Sequence, residues 1–274
     1  MARTHFKRRA ITACLFLSIS TLNCSNNLVI DSRGISVSSI KNSIEKYQSP
    51  DWEQRLIAVK DLKNNIKGPN DQLVEMALII SSRDTHPSVR IESLNGLENL
   101  ATKKSIDRMN EMALSDESLN VRWQALRSLV KIRDESSYSV FMQSFSSDDW
   151  LIREAAIQGI LLYSSVAGSE SLAQYSEKGL KDINECVKIA TLRNLQVKEE
   201  MLYPLVLDIF KKHKKSSHPL LNASLVALKG YMLDKETRDD VIDLLGHKNR
   251  EIRILALRVL KQEITLKNEK EQRK

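Results

Sequence analysis

A nine-residue pattern returns seven times along this chain and limits what it can fold into. In the stretch Val121-Arg122-Trp123-Gln124-Ala125-Leu126-Arg127-Ser128-Leu129, take Val121 as position zero. A basic residue then stands at position one, a small residue at position four and a large aliphatic at position eight. The frame fits again at Gln54, Val89, Ile152, Val187, Leu220 and Ile252. Its small position is filled by Ala58, Ser93, Ala156, Thr191, Ser224 and Ala256, and its large position by Leu62, Leu97, Ile160, Leu195, Leu228 and Leu260. These offsets share one face of a helix. Successive anchors lie 35, 32, 31, 35, 33 and 32 residues apart, a period that belongs to stacked two-helix units rather than to a compact enzyme fold.

The intervening residues supply the other half of each unit. Amphipathic runs such as Ile40, Ile44 and Tyr47, or Ile106, Met109, Met112 and Ala113, predict a first helix, and the earliest begins near Val37. Between first and second helices stand short polar turns, among them Arg83-Asp84-Thr85-His86-Pro87, Ser115-Asp116-Glu117-Ser118 and Lys181-Asp182-Ile183-Asn184. Most of these turns carry an Asp, Ser or Asn able to cap the helix that follows. With only eight Gly and five Pro in 274 residues, a β-rich fold with many tight turns is excluded. The expected fold is all-α, an α-solenoid of about seven two-helix units.

The N-terminus reads differently. Basic residues up to Arg9 precede an apolar run from Ala10 to Leu17, and the polarity rises again at Asn23, Cys24, Ser25 and Asn26. That order is that of an export signal, and the run is too short for the roughly 20 apolar residues a membrane-spanning helix needs. Ser20-Thr21-Leu22-Asn23-Cys24 resembles a bacterial lipobox, with Leu22 two residues before the cysteine and Asn23 directly before it. The resemblance implies cleavage before Cys24 and acylation of its thiol, palmitate included, with the protein held at the inner or outer membrane of a bacterial envelope. Cleavage to a soluble exported adaptor is the alternative. The expected organisation is a signal over 1–23, a polar tether over 24–36, the solenoid over 37–263 and a charged tail over 264–274.

Discounting Arg3, Lys7, Arg8 and Arg9 of the signal lowers the formal charge from +7 to +3, too small a surplus to support nucleic-acid binding. Of three cysteines, Cys14 lies in the signal and Cys24 at the lipobox, so Cys186 stands alone in the folded body and no internal disulfide is expected there.

The segments Asp84 to Val89-Arg90, Asp116 to Val121-Arg122 and Asp182 to Val187-Lys188 resemble HEAT repeats, and the short period is similar to the bacterial HEAT-like units of phycobilin lyases. The resemblance covers about Val37 to Glu263. It implies that Arg55, Arg90, Arg122, Arg153, Lys188 and Arg253 form a structural ladder with turn aspartates, broken where Leu221 takes the basic place. It also implies that the second helices line a concave side and that the protein is a binding scaffold, not an enzyme. A HEAT-like enzyme or lyase-type protein with an unrecognised site is the rival reading. Metal-binding members use paired His-Glu motifs, and no His here is followed by Glu; His86, His213, His218 and His247 are expected to stay apart in separate turns. No cofactor, metal or small-molecule substrate is expected.

The frame also singles out a surface. With 100° per residue, positions zero, four, five and eight face the core, while positions three, six and ten point away. Position six is Lys60, Asn95, Arg127, Gln158, Arg193, Val226 and Arg258, and Lys131 joins it at position ten. Lys60, Arg127, Lys131, Arg193 and Arg258 are therefore the candidate binding residues for an acidic segment of a protein partner or another anionic envelope component, with Arg127 and Arg193 central. The run Lys211-Lys212-His213-Lys214-Lys215 is read as a solvated helix end, with docking on anionic headgroups as its alternative.

Overall fold

The computed structural model describes residues 37–66, 71–163, 168–195 and 200–272. Cys24 and the signal segment lie outside these residues. Among the described residues there are fourteen α-helices and no strand. They alternate as the repeat requires and divide into two compact units, the first ending at Ile132 and the second beginning at Arg133. The helix pairs expected over 37–263 recur through the described residues of both units.

The first unit holds three helix pairs: α1 (Val37–Lys46) with α2 (Trp52–Asn64), α3 (Asp71–Ser81) with α4 (Pro87–Leu100), and α5 (Lys103–Ser115) with α6 (Leu119–Ile132). Their starts are fixed by side chains that satisfy otherwise orphaned amides. Asp51 accepts from the Glu53 N–H, Thr102 from Ser105 and His86 Nδ1 from Ser88. Pro87 occupies the first turn of α4, where its missing donor is harmless. The core is the repeat frame made solid: Val89, Ser93, Leu94 and Leu97, and likewise Val121, Ala125, Leu126 and Leu129, are all fully buried.

The second unit holds four pairs: α7 (Tyr138–Ser144) with α8 (Trp150–Leu162), α9 (Ser169–Leu180) with α10 (Glu185–Asn194), α11 (Tyr203–His213) with α12 (Pro219–Leu228), and α13 (Lys235–Asp243) with α14 (Arg250–Gln272). Asp149, Asn184, His218 and Asp234 cap α8, α10, α12 and α13. Ile152, Ala156, Ile157 and Ile160 are buried, as are Val187, Thr191, Leu192 and Leu195, and Leu220, Ser224, Leu225 and Leu228.

Two expectations need correction. Position three does not face solvent in the second unit: Ala155, Ala190 and Ala223 are buried, because a methyl side chain there lets neighbouring second helices approach closely. Nor does the chain leave the helix at Glu263, since α14 continues through the expected tail to Gln272. That segment contains no Gly or Pro, Lys267 pairs with Glu263 one turn back, and strong helix formers carry the helix onward.

Candidate interaction surface

The ladder arginines hold the second helices in register. Arg55 Nε and Nη2 donate to Asp84 at 2.7 and 2.8 Å, while its Nη1 reaches the carbonyls of Ser49 and Pro50 in its own turn. Arg90 repeats the arrangement on Asp116 at 2.9 and 2.7 Å, with Nη1 on the carbonyls of Asp84 and Thr85. Arg153 does so on Asp182 at 2.8 and 3.0 Å, with Nη1 on Ser147 and Asp148. Each guanidinium therefore uses its planar fork on one turn and its remaining nitrogen on another, a geometry Lys cannot copy. Burial by itself pushes the Asp84 carboxyl up. Arg55, the His86 N–H and the Tyr47 hydroxyl reverse that and hold it below the usual carboxylate range. Arg153 and the Asn184 N–H do the same against burial for Asp182, with Lys188 adding its charge.

The remaining ladder positions differ. Arg253 binds the carbonyls of His247 and Lys248 at 2.7 and 3.0 Å. The Nε of Arg122 is buried without a hydrogen-bond partner among the described residues. Leu221, in the sixth place, is fully buried as an apolar side chain.

The candidate binding residues fall on the signature helices of each unit. In the first unit Lys60 on α2, Asn95 on α4 and Arg127 on α6 share position six; Lys60 and Arg127 are exposed and form ion pairs with none of the described residues. The exposed Arg127 lies over the Trp123 ring at 5.0 Å from its centroid, within the range of cation–π attraction. Lys131 departs from the expectation of a free cation: its Nζ is 2.9 Å from Glu98, which also accepts from Ser128. Glu92 likewise pairs with Lys63 and accepts from Asn95, whose carbonyl accepts from Gln124 at 3.3 Å. These two glutamates, at positions three and nine of their repeat, were visible in the same frame and temper the positive charge. In the second unit Arg193 and Arg258 are exposed at position six, with Gln158 half-buried and Val226 exposed.

The run from Lys211 to Lys215 is partly neutralised. Lys211 pairs with Glu236 at 3.0 Å, and Lys214 reaches both oxygens of Asp240 at 2.6 Å, so these lysines tie α11 to α13. The histidines do not all stay apart. His213 and His218 stack with centroids 4.7 Å apart, and His218 Nε2 stands 3.3 Å from Glu185. Burial, His218 and Lys212 push the His213 imidazole down. The Nδ1 of His218 accepts from the Leu220 N–H, so that nitrogen already serves as a helix cap, as that of His86 does for α4; the Nδ1 of His247 accepts from the Asn249 N–H in the turn before α14. Cys186 is an exposed free thiol at the start of α10. Among the described residues no helix is long and apolar enough to cross a membrane.

A family profile described as HEAT repeats matches residues 74–160. No curated protein matches the chain. Among solved structures, an engineered protein is 16% identical, covers 82% of this chain and 68% of its own, and superposes with a TM-score of 0.51. The complex of CpcE and CpcF of phycocyanin lyase from a Nostoc species is 17% identical, with coverage of 89% and 97% and a TM-score of 0.48. A designed armadillo repeat protein is 15% identical, with coverage of 82% and 99% and a TM-score of 0.39. Fold and profile agree with the periodicity: residues 74–160 match a HEAT-repeat profile, and the described residues on either side of them continue as helix pairs with no strand.

Proposed function

We propose that this protein is a lipid-anchored scaffold of a bacterial cell envelope, which binds an acidic segment of a protein partner on its signature helices and performs no catalysis itself. One observation carries the binding proposal. The exposed charges at position six are all cationic, Lys60 and Arg127 in the first unit and Arg193 and Arg258 in the second. Glu is as good a surface helix former as Lys or Arg, so helix formation does not account for its absence from these places. The exposed guanidinium of Arg127 can take a carboxylate in bidentate fashion. Attachment rests on the lipobox-like run ending at Cys24.

The test is in-cell crosslinking followed by recovery of the bound partner, comparing the natural chain with Arg127→Glu combined with Arg193→Glu. Both side chains are exposed, so helicity is expected to stay the same while recovery falls about tenfold, on the order of 1.4 kcal/mol, with the loss shrinking as salt is raised. Recovery indifferent to both reversals would place binding elsewhere.

A further inference from the structure

In the second unit the turns that precede α8, α10 and α12 form one edge, and we infer that this edge docks on an anionic bilayer surface, with Ile183 entering the headgroup layer. The three turns are built alike. A first residue accepts the N–H of the residue two places on, and that second residue caps the helix: Ser147 with Asp149, Asp182 with Asn184, and Ser216 with His218. Neither bond uses the residue between them. That middle place is exposed in every repeat of the chain, where it is Pro50, Thr85, Glu117, Asp148, Ser217 or Lys248. In the turn before α10 it is Ile183, 92% exposed. The turn is closed by its two neighbours, so the fold has no use for an aliphatic side chain at this place.

One exposed aliphatic is ordinary on a protein surface; what sets Ile183 apart is the rest of the edge. Arg153 ties the turn before α8 to the next one, reaching the Ser147 and Asp148 carbonyls and, at 2.8 Å, Asp182. His218 Nε2 stands 3.3 Å from Glu185, which joins the start of α10 to the turn before α12. Trp150, the first residue of α8, is 41% exposed on this edge. Tryptophan suits the boundary between water and hydrocarbon, because its ring is apolar and its N–H is not. The charge fits anionic headgroups. Of the edge's acids, Asp149 caps α8, Asp182 is held by Arg153 and Glu185 stands beside His218, which leaves Asp148. Against it are Lys181, exposed beside Glu177, and Lys212 and Lys215, both exposed and ion-paired with none of the described residues. A tip as exposed as Ile183 is a protrusion, whereas the anchor pockets of protein partners are concave; a bilayer surface receives protrusions. The inference rests on the envelope residence proposed above, and it adds a contact made by the folded body to the one proposed at Cys24.

Photocrosslinking in cells with Ile183→p-benzoylphenylalanine is expected to give phospholipid adducts, read by mass spectrometry, and the control Glu117→p-benzoylphenylalanine, at the same turn place in the first unit, to give few. With the full chain on vesicles of phosphatidylglycerol and phosphatidylethanolamine whose acyl chains carry bromine, tryptophan emission is expected to be quenched. Ile183→Ser is expected to lower that quenching about threefold, as withdrawal of part of one aliphatic side chain from lipid implies. Lys212→Gln combined with Lys215→Gln is expected to lower it too and to weaken its salt dependence. These side chains are exposed, so far-UV circular dichroism is expected to stay the same. Failure of the lipid anchor reads differently. A chain that partitions into the aqueous phase yet gives lipid adducts at Ile183 keeps this edge and loses the anchor, whereas a detergent-phase chain without such adducts keeps the anchor and loses the edge. Absence of lipid adducts in either phase, protein adducts in their place, or quenching unmoved by Ile183→Ser would each overturn the inference.

Discussion

Arg55, Arg90 and Arg153 each join two turns of the repeat, and the removal of one is not a surface event. The side chains of Arg55 and Asp84 are 5% and 1% exposed, so Asp84→Asn leaves a buried guanidinium without its counter-ion. Removing one partner of such a pair typically costs about 3–5 kcal/mol, although replacing both with apolar groups can be nearly neutral. The pH dependence follows from the depressed carboxyl. A group whose folded pKa lies below its unfolded value of 3.8 contributes stability that is fully present above that value. The contribution is lost as pH falls through the folded pKa. Denaturant unfolding is therefore expected to show the stability of the natural chain fading below about pH 4. Asp84→Asn is expected to be less stable at pH 7 and to have a shallower acid slope; an unchanged slope would remove Asp84 from the acid response.

Helix starts and core positions were readable because caps and the seven anchors agree, as at Asp149 before α8 and at Val89, Ser93 and Leu97 within α4. Three features were not readable from a one-helix frame. The pairing of His213 with His218 depends on how the turn between α11 and α12 folds back, the continuation of α14 depends on the absence of a breaker in a segment whose charges suggested a tail, and the Glu98 link to Lys131 spans neighbouring helices. Gly159 marks another close approach. A Cβ there would enter the ring of Phe141, which is fully buried and stacked on Tyr163 at 5.8 Å, so the ring has no room to withdraw. At Gly96 the added methyl meets Leu78 Cδ1 at 2.7 Å, the far end of a flexible side chain. Gly→Ala within a helix gains about 1 kcal/mol in propensity, and overpacking costs about 1–3 kcal/mol. Gly159→Ala is thus expected to lower Tm by several degrees and Gly96→Ala to leave it nearly unchanged, measured by thermal circular dichroism; equal shifts would show that the Phe141 ring can move.

Over the whole molecule, the repeat frame carries the fold and says nothing about where the protein resides. The period of 31 to 35 residues marks helix pairs, but the division after Ile132 was not visible in it, because Val121 to Leu129 and Ile152 to Ile160 follow the same frame on either side. Residence is instead a matter of the segment ahead of α1. Basic residues, a short apolar run and Cys24 are the order in which an export machinery meets a lipoprotein precursor. One acyl chain binds a bilayer only reversibly, whereas two or more anchor a protein firmly. Lipidation at Cys24 therefore predicts that the natural chain partitions into the detergent phase, incorporates labelled palmitate and has an intact mass that begins at an acylated Cys24. Cys24→Ala is expected to accumulate as uncleaved precursor without label. Normal cleavage of that variant, with the product still in the detergent phase, would show that the anchor is not at Cys24; normal cleavage with the product in the aqueous phase would support the soluble exported form.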